Sequence, residues 1–325
     1  GSVRAPGGGR GPPPPDMRIS YVMPCHDGAA TLTAAAERVL RELEEGDELV
    51  VVDDGSTDET PRRLEELAAR HGPRLRALAQ PNAGPAAARN RGMAAAAGDW
   101  IGFLDCDDEL LPGAVARWRA AAAAAPQAGF LLAGRLERLP GGRERRLEGQ
   151  AVAPEPRRAL ADFLVEDRRS IGVGAILVRR DVALAAGFPE ELRYAEDNVF
   201  FARCFAMTPA YAIAAPAYRY NYEPAREEGR VLFGSFDVAR MVDLAFDPAC
   251  VPASLQDLKP RALAAARLSA FRDLHRRGRD REALAYWRLA FAAAPGLALR
   301  LRYLRKVARG LLGLRHPAGR RASRA

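Results

Sequence analysis

The 325-residue sequence has few cysteines, and their arrangement indicates neither disulfides nor a metal framework. The four cysteines form no C-x-x-C pair and no regular spacing, which is typical of a reduced protein without structural zinc. No apolar run approaches the roughly 20 residues that a membrane-spanning helix needs. The first residues also lack the apolar core of a signal peptide. These absences predict a cytoplasmic chain, long enough for one large domain with a buried core.

Positive charge is concentrated near the end of the chain. The net charge of +8 comes largely from arginine, and many of the arginines lie after residue 260. A basic segment of this kind suits an anionic partner. The basic residues have no interleaved aromatics and form no recognisable binding module, so nucleic acid is not expected as that partner.

The first part of the chain alternates between strand and helix patterns. Apolar runs of strand character and amphipathic helical segments alternate four times within about 100 residues. Strands are predicted at 18–23, 47–52, 75–79 and from 100, and helices at 30–45, 56–71 and from 85 to about 98. The second helix would begin with a capping box of Ser56 and Glu59. This order predicts an α/β fold with a doubly wound, mostly parallel sheet flanked by helices.

The rest of the chain is mixed at first and then helical. Helices are predicted from Pro112 to Ala125, at 180–186 and from 194 to about 206. Strands are predicted at 129–139, 176–178, 211–213 and 218–222. After Val238 every periodic segment is helical. The predicted organisation is a disordered leader at 1–16, an α/β domain at 17–228, a C-terminal helical extension at 229–315 and a basic tail at 316–325.

Three of the predicted strands end at acidic or turn residues. These ends are His26-Asp27, Asp53-Asp54 and the Asp105-Cys106-Asp107-Asp108 stretch. In a doubly wound sheet such strand ends lie along one edge and converge on one ligand. Carboxylates there repel one another unless a cation or a donor-rich ligand lies among them. A hard divalent ion that carries a diphosphate would meet this need.

Together, these motifs resemble those of family 2 glycosyltransferases of the GT-A fold. The resemblance rests on Asp53-Asp54-Gly55-Ser56-Thr57-Asp58, on Asn82-x-Gly84 followed by Ala88-Arg89-Asn90, on Asp105-x-Asp107-Asp108, and on Gly187-Phe188-Pro189-Glu190-Glu191 followed by Glu196-Asp197. It covers roughly residues 18–222, and the helical remainder contributes no motif to it. The implied fold is a GT-A type α/β domain with a C-terminal helical extension.

The resemblance implies transfer of a sugar from a nucleotide-diphosphate donor, a UDP-sugar, with inversion at the anomeric carbon. The acceptor would be a hydroxyl of a glycan, lipid-linked or other molecule. Donor binding is assigned by the resemblance to Pro24, His26, Asp27, Asp53, Asp54, Gly84, Arg89 and Asp105. Asp54 would bond the nucleobase, Asp53 would shape the turn, and Arg89 would approach the phosphates or the base. His26 stands where the family commonly has tyrosine, so the resemblance specifies the diphosphate more closely than the base.

The chemistry of such a transfer requires a cation and a base. The resemblance implies Mg²⁺ or Mn²⁺ with Asp107 and Asp105 as ligands and Asp108 in support, because charge grows on the leaving diphosphate. It makes Asp197 the base that deprotonates the acceptor hydroxyl, a contribution of about 10² to 10⁴ in rate. Glu196 would brace the site, because adjacent helical residues point about 100° apart.

The last predicted helix, at 297–314, is basic and amphipathic. Its apolar face would comprise Leu297, Leu301, Leu304, Ala308 and Leu311, with the basic residues mainly around the rest. Two interpretations are open: a helix that lies on an anionic membrane surface, at its cytoplasmic side, or a helix that packs on its own domain with solvated arginines.

Other functions fit the sequence less well. A haloacid-dehalogenase-type phosphotransferase would carry Asp-x-Asp on its first strand with Thr or Val two residues on, where this chain has Glu109. A nucleotidylyltransferase would have a Gly-rich basic loop after the first strand, and a Rossmann dehydrogenase would have G-x-G-x-x-G. A degenerate nucleotide-sugar-binding or assembly subunit is the non-enzymatic alternative, and retention of Asp54, Asp107 and Asp197 argues against it.

Overall fold

The computed structural model describes residues 17–166, 171–221 and 237–311. The predicted leader at 1–16, the tail at 316–325 and the proposed boundary between 228 and 229 lie outside these residues. Within them, no helix has the length and apolar character needed to traverse a bilayer.

The described strands form one sheet in the order β3-β2-β1-β4-β8-β6-β9-β5, with β7 paired to β6. They are β1 (Ile19–Cys25), β2 (Glu48–Asp54), β3 (Leu75–Gln80), β4 (Trp100–Phe103), β5 (Glu109–Leu110), β6 (Phe130–Arg138), β7 (Glu144–Leu147), β8 (Ile176–Arg179) and β9 (Ala210–Asn221). The first four strands are parallel, as predicted. Beyond β4 the sheet is mixed, because β8 runs antiparallel to both β4 and β6 while β6 and β9 are parallel.

Twelve α-helices are found among the described residues. They are α1 (Leu32–Glu42), α2 (Thr60–His71), α3 (Pro85–Ala95), α4 (Ala114–Ala124), α5 (Pro156–Leu164), α6 (Arg180–Ala186), α7 (Glu196–Met207), α8 (Val238–Ala245), α9 (Lys259–Arg276), α10 (Asp280–Ala293), α11 (Pro295–Ala298) and α12 (Leu301–Leu311).

The helices cover both faces of the sheet, which explains why β1 and β2 are buried throughout. Strands covered on both sides have apolar residues at successive positions instead of alternating with polar ones. On β2, Leu49 and Val51 contribute to one core with α1, α2 and α4, whereas Val50 and Val52 contribute to the other with α3, α5, α6 and α7. Helices α8 to α12 join this second core through residues such as Phe271. The helical extension therefore shares a core with the sheet.

Three local predictions were wrong. Helix α2 begins at Thr60 after an N-cap at Glu59 that makes no side-chain bond, so Ser56 does not cap it. Ser56 Oγ instead accepts a hydrogen bond from the backbone N–H of Asp27. The strands predicted at 211–213 and 218–222 belong to one strand, β9. The single helix predicted at 297–314 is divided into α11 and α12, and residues 312–314 lie outside the described chain.

Candidate active site

The acidic turns after β1, β2 and β4 lie at one edge of the sheet. The parallel register pairs Cys25 with Asp53, so the two strands end level with each other. Strand β4 lies on the other side of β1, with Phe103 opposite Val22. The three turns predicted to converge therefore extend from adjacent strand ends.

Two clefts open at this edge, and we name each after one carboxylate. The Asp54 cleft has a volume of about 340 Å³. It is lined by Pro24, Cys25, His26, Asp54, Pro85, Arg89, Asp105, Cys106 and Asp107. The Asp197 cleft has a volume of about 330 Å³. It is lined by Arg89, Asp105, Asp107, Asp108, Arg135, Glu137, Ile171, Gly172, Val173, Glu196, Asp197, Tyr218 and Tyr220. Arg89, Asp105 and Asp107 belong to both clefts, which are therefore adjacent.

The Asp54 carboxylate fixes the turn that leads into α3. It accepts hydrogen bonds from the backbone N–H groups of Ala83 (2.9 Å) and Gly84 (2.8 Å) and from the Gln80 side-chain amide (2.8 Å). Gly84 adopts a φ of 91°, a conformation that glycine reaches without strain. Asp54 is buried, and these hydrogen bonds hold the wall of its cleft in place. A bond to a nucleobase would use the acceptor capacity that its carboxylate oxygens retain.

The turns after β1 and β2 are bonded to each other. The backbone N–H of Thr57 donates to Asp27 Oδ1 at 2.7 Å, in addition to the bond from Asp27 to Ser56. Asp53 Oδ1 accepts from the N–H of Ser56 at 3.1 Å, so Asp53 shapes this turn. The ring of His26 lies beside it, with Nδ1 3.0 Å from the carbonyl oxygen of Asp54. These bonds join two turns that lie about 30 residues apart in the chain.

Arg89 joins the two clefts electrostatically. Its side chain is only 6% exposed, with Nη2 2.9 Å from Asp105 Oδ1 and Nη1 3.0 Å from Glu196 Oε1. The guanidinium carbon lies 5.4 Å from the ring centroid of Phe188. Burial alone would lower the pKa of Arg89, but the carboxylates of Asp105 and Glu196 outweigh it and raise the pKa. Arg89 is therefore a permanent cation between two acids.

Asp197 lies in the first turn of α7, next to Glu196. Burial, together with the neighbouring Glu196 charge, raises the pKa of Asp197 to about 6, although the Arg89 cation acts in the opposite direction. Oδ1 of Asp197 accepts a hydrogen bond from the backbone N–H of Asn198 at 2.7 Å. A carboxylate with this pKa is largely ionised at neutral pH and still basic enough to take a proton. The site thus contains the properties that a general base needs.

The three acids after β4 form a set of hard oxygen donors. One carboxylate oxygen from each of Asp105, Asp107 and Asp108 lies within 4.8 Å of the others. Asp108 is buried, and its Oδ1 also accepts a hydrogen bond from the N–H of Asn221 on β9. Oxygen ligands in this number suit Mg²⁺ or Mn²⁺, which bind a few carboxylates and retain waters or substrate oxygens. The residues present therefore fit a divalent ion, and Asp108 is a third potential ligand.

Among the residues of the Asp197 cleft that were not singled out from the sequence are Arg135, Glu137 and Gly172. Arg135 Nη2 lies 2.7 Å from Glu137 Oε1 on β6, two residues apart and so on one face of the strand. The spacing of two residues on a predicted strand could have identified this pair from the sequence. Gly172 had no such signal: a Cβ at this position would lie 2.0 Å from the hydroxyl oxygen of Tyr218, a contact made only by the tertiary fold.

Sequence comparison places the chain among glycosyltransferases. The profile of a family described as "Glycosyl transferase family 2" matches residues 20–185. The succinoglycan biosynthesis protein ExoO of Rhizobium meliloti is 41% identical over 95 residues, 29% of this chain and 26% of that protein. Chondroitin synthase of Escherichia coli is 37% identical over 97 residues, 30% of this chain and 14% of that enzyme. The chain thus aligns with only a minor part of each relative.

Structural comparison gives a wider match. The TarS 1–349 structure from S. aureus in complex with UDP-GlcNAc superposes with a TM-score of 0.59 at 17% identity, over 91% of this chain and 92% of that one. Mannosyltransferase PcManGT from Pyrobaculum calidifontis, in complex with GDP-Man and Mn²⁺, gives 0.52 at 20% identity, over 92% and 85%. At these identities the likeness shows the fold, and the predicted GT-A architecture with C-terminal helices is confirmed.

Proposed function

The chain belongs to glycosyl transferase family 2, and from this membership and the geometry of its site we propose that it transfers a sugar from a UDP-sugar to an acceptor hydroxyl with inversion of configuration. The observation that carries the proposal is the sharing of Arg89, Asp105 and Asp107 by the two clefts. A donor that spans both clefts would place its nucleoside in one, its sugar in the other, and its diphosphate at the shared residues.

The Asp54 cleft is the proposed nucleoside site. Its wall is fixed by backbone hydrogen bonds, and a preformed wall reduces the entropy lost when a ligand binds. Pro24 and His26 line the same cleft, and the imidazole can stack on a base or bond to it. The neighbouring folds that hold UDP-GlcNAc and GDP-Man accommodate different bases, and uridine is proposed here from the family resemblance.

Asp107 and Asp105 are the proposed ligands of a divalent ion, with Asp108 close enough to contribute. When bound, such an ion would neutralise the charge that develops on the departing diphosphate. Arg89 holds Asp105 in a fixed position through its ion pair. The protein thereby presents a preorganised set of oxygens to the cation.

Asp197 is the proposed base. In an inverting displacement the acceptor oxygen attacks the face of the sugar opposite the leaving group, so the base must lie across the sugar from the diphosphate. Asp197 and Asp107 line the same cleft, which supports a sugar bound between them. Glu196 bonds Arg89 and keeps α7 in position relative to β4.

The acceptor side of the site continues into a neighbouring cavity. A further cavity of about 420 Å³, bounded by the segments 132–133 and 146–150, has Ile171 in common with the Asp197 cleft. A groove that continues past the reaction centre suits an acceptor larger than one sugar, and we propose a glycan or a lipid-linked saccharide.

A panel of nucleotide sugars, with and without Mn²⁺, tests the donor assignment through thermal unfolding. A ligand at about 100 times its Kd should raise the Tm by about 3 °C or more. UDP-sugars with Mn²⁺ should do so, and GDP-, CMP- and ADP-sugars should not. A stabilising donor is then incubated with saccharide acceptors, and the anomeric configuration of the product is read by NMR. An α-linked donor should yield a β-linked product. Retention of configuration, or binding without any transfer or hydrolysis, would contradict the proposal.

A further inference from the structure

The chain divides into two regions of opposite charge. Residues 1–258 contain 31 Lys and Arg against 38 Asp and Glu, whereas residues 259–325 contain 18 against 3. The region that carries the proposed active site is therefore negative, and the C-terminal helical region is strongly positive. A surface with such an excess of one sign attracts an anionic partner.

The packing of α12 shows which of its side chains the domain covers. Tyr303 and Val307 are its buried residues, and the Tyr303 ring lies 6.3 Å, between centroids, from Phe271 on α9. Leu301 and Leu311, which were predicted to face the domain or a membrane, are 62% and 67% exposed. The leucines therefore do not stabilise the fold by packing, and the helix is held by a different face.

The outward side of α12 has an apolar flank and a basic flank. At 3.6 residues per turn, Leu301, Leu304, Ala308 and Leu311 fall on one flank, and Arg302, Arg305, Lys306 and Arg309 on the other. Both flanks are adjacent to the buried stripe of Tyr303 and Val307. A helix with this division presents leucine and arginine side by side to whatever lies beyond the protein surface.

The basic flank continues onto α9. Partial burial lowers the pKa of Lys306, and so do the charges of Arg272 and Arg276 on α9 and of Arg302 and Arg309 on α12. Lys306 is thus within electrostatic range of four arginines. Asp273 lies 3.3 Å from Arg276 and offsets part of the positive charge there. An external anion would relieve the repulsion.

Exposed apolar side chains are concentrated in the same part of the molecule. Eight large hydrophobic residues of the described chain are 37% or more exposed, and five of them fall between 289 and 311. These five are Leu289, Phe291, Leu299, Leu301 and Leu311. Isolated exposed leucines need no explanation, but a concentration of them beside cations indicates a binding surface.

We propose that α12, with the adjoining ends of α9 and α10, binds the surface of a bilayer that contains anionic phospholipids. The leucines would enter the boundary between headgroups and acyl chains, and the arginines and Lys306 would contact the lipid phosphates. A nucleic acid would use the cations but leave the leucines in water. A protein partner would need a matching acidic and apolar surface, whereas a bilayer interface offers both features along its whole area.

Vesicle flotation with the full chain tests this surface without any measurement of sugar transfer. The wild-type protein should float with vesicles of about one-third phosphatidylglycerol in phosphatidylcholine, should float poorly with phosphatidylcholine alone, and should be released as salt is raised. Because no donor or acceptor is present, failure here would leave the proposed enzymatic function unaffected.

Paired substitutions separate the two flanks. Replacing Arg305 and Arg309 by glutamine should lower the partition coefficient on anionic vesicles on the order of 20-fold, since each surface cation contributes a factor of about 5. Replacing Leu301 and Leu311 by serine should lower it about tenfold or more and reduce binding at high salt. The matched controls are Arg91→Gln with Arg143→Gln, and Leu184→Ser, which are exposed residues outside the C-terminal helices and should have no effect.

Unchanged thermal unfolding should accompany these losses, because the substituted side chains are exposed. Equal flotation on neutral and anionic vesicles, or no flotation on either, would overturn the proposal. A third outcome would also overturn it: the protein binds duplex DNA and no vesicles, and DNA binding is lost in the arginine double variant but not in the leucine double variant.

Discussion

The Asp54 cleft and the Asp197 cleft share three side chains but are built differently. The first is formed by turns that follow adjacent parallel strands, and its carboxylates accept hydrogen bonds from backbone N–H groups. The second is lined by side chains from α7, β6 and β9, which are far apart in the chain. Asp197 and Asp108 accept backbone N–H bonds here too, but several of its groups are held by ion pairs, such as those of Arg89 with Glu196 and of Glu137 with Arg135 and Arg145.

This difference separates two tasks. Bonds to backbone groups fix a carboxylate as rigidly as the turn itself, which suits recognition of the constant, nucleotide part of a donor. Ion pairs between side chains can be exchanged for bonds to a ligand, because each partner retains unused donors or acceptors. We therefore expect substitutions in the first cleft to affect donor binding and stability, and substitutions in the second to affect transfer and acceptor use.

The largest effect is expected at the junction of the two clefts. Asp107→Ala should lower metal-dependent turnover by at least about 10³-fold, because the cation that neutralises the leaving group would lose its main ligand. Initial rates across a Mn²⁺ titration measure this. The control is Asp99→Asn. Asp99 lies just before the start of β4, at the end away from the clefts, and pairs with Arg18. Full activity of Asp107→Ala at the wild-type Mn²⁺ concentration would place the metal elsewhere.

A pH profile tests the electrostatic link between Arg89 and Asp197. With the pKa of Asp197 raised to about 6, kcat/KM should fall as pH decreases through this value, because the protonated carboxyl cannot accept a proton. Arg89→Met should lower activity about 100-fold and move the acid limb to higher pH, since the cation that lowers this pKa is removed.

Arg89→Lys is the matched control. It retains the charge but loses the forked geometry, so its acid limb should stay closer to that of the wild type. An acid limb at the same pH in all three proteins would show that Asp197 is not the group that titrates.

A smaller effect is expected in the wall of the Asp54 cleft. Asp54→Asn replaces one acceptor oxygen by an amide that faces a backbone N–H, so at least one buried hydrogen bond is lost. Unfolding free energy should fall by about 1 to 3 kcal/mol, and donor affinity should fall with it. Chemical denaturation and donor titration measure both, with the exposed Glu59→Gln as control. Loss of donor affinity at unchanged stability would mean that Asp54 contacts the ligand without supporting the wall.

The smallest effect is expected at β6. Arg135→Gln should raise the acceptor KM by about threefold to tenfold with little change in donor KM, because Arg135 lines only the Asp197 cleft. Steady-state kinetics with each substrate varied in turn measure this. A rise confined to the donor KM would assign Arg135 to the diphosphate instead.

The Asp54 cleft was largely predictable from sequence, for a physical reason. Asp53 and Asp54 end β2, and Asp105 and Asp107 lie in the turn that follows β4, so the alternation of strands and helices was enough to bring them to one edge. The packing of Arg89 was not predictable, because its partner Glu196 lies 107 positions away. The positions of Arg135 and Glu137 in the cleft depend on the pairing of β6 with β9. This pairing contains register shifts near Gly134, which the sequence pattern does not reveal.

The C-terminal helix shows a different limit. Its amphipathic pattern correctly indicated a helix, but either of two faces of α12 could have packed on the domain. Tyr303, which contacts Phe271 on α9, and Val307 are the buried residues, whereas Leu301 and Leu311 are exposed. Periodicity identifies an apolar stripe and does not identify its partner.

The central claim is that the donor and its metal are held independently of the base. The most direct test is the rate of sugar transfer by Asp197→Asn at saturating UDP-sugar and Mn²⁺, with donor Kd measured on the same protein. The account predicts a rate lower by about 10² to 10⁴ and a donor Kd within about twofold of the wild type. A wild-type transfer rate in Asp197→Asn, or a loss of donor binding that accounts for the whole defect, would contradict it.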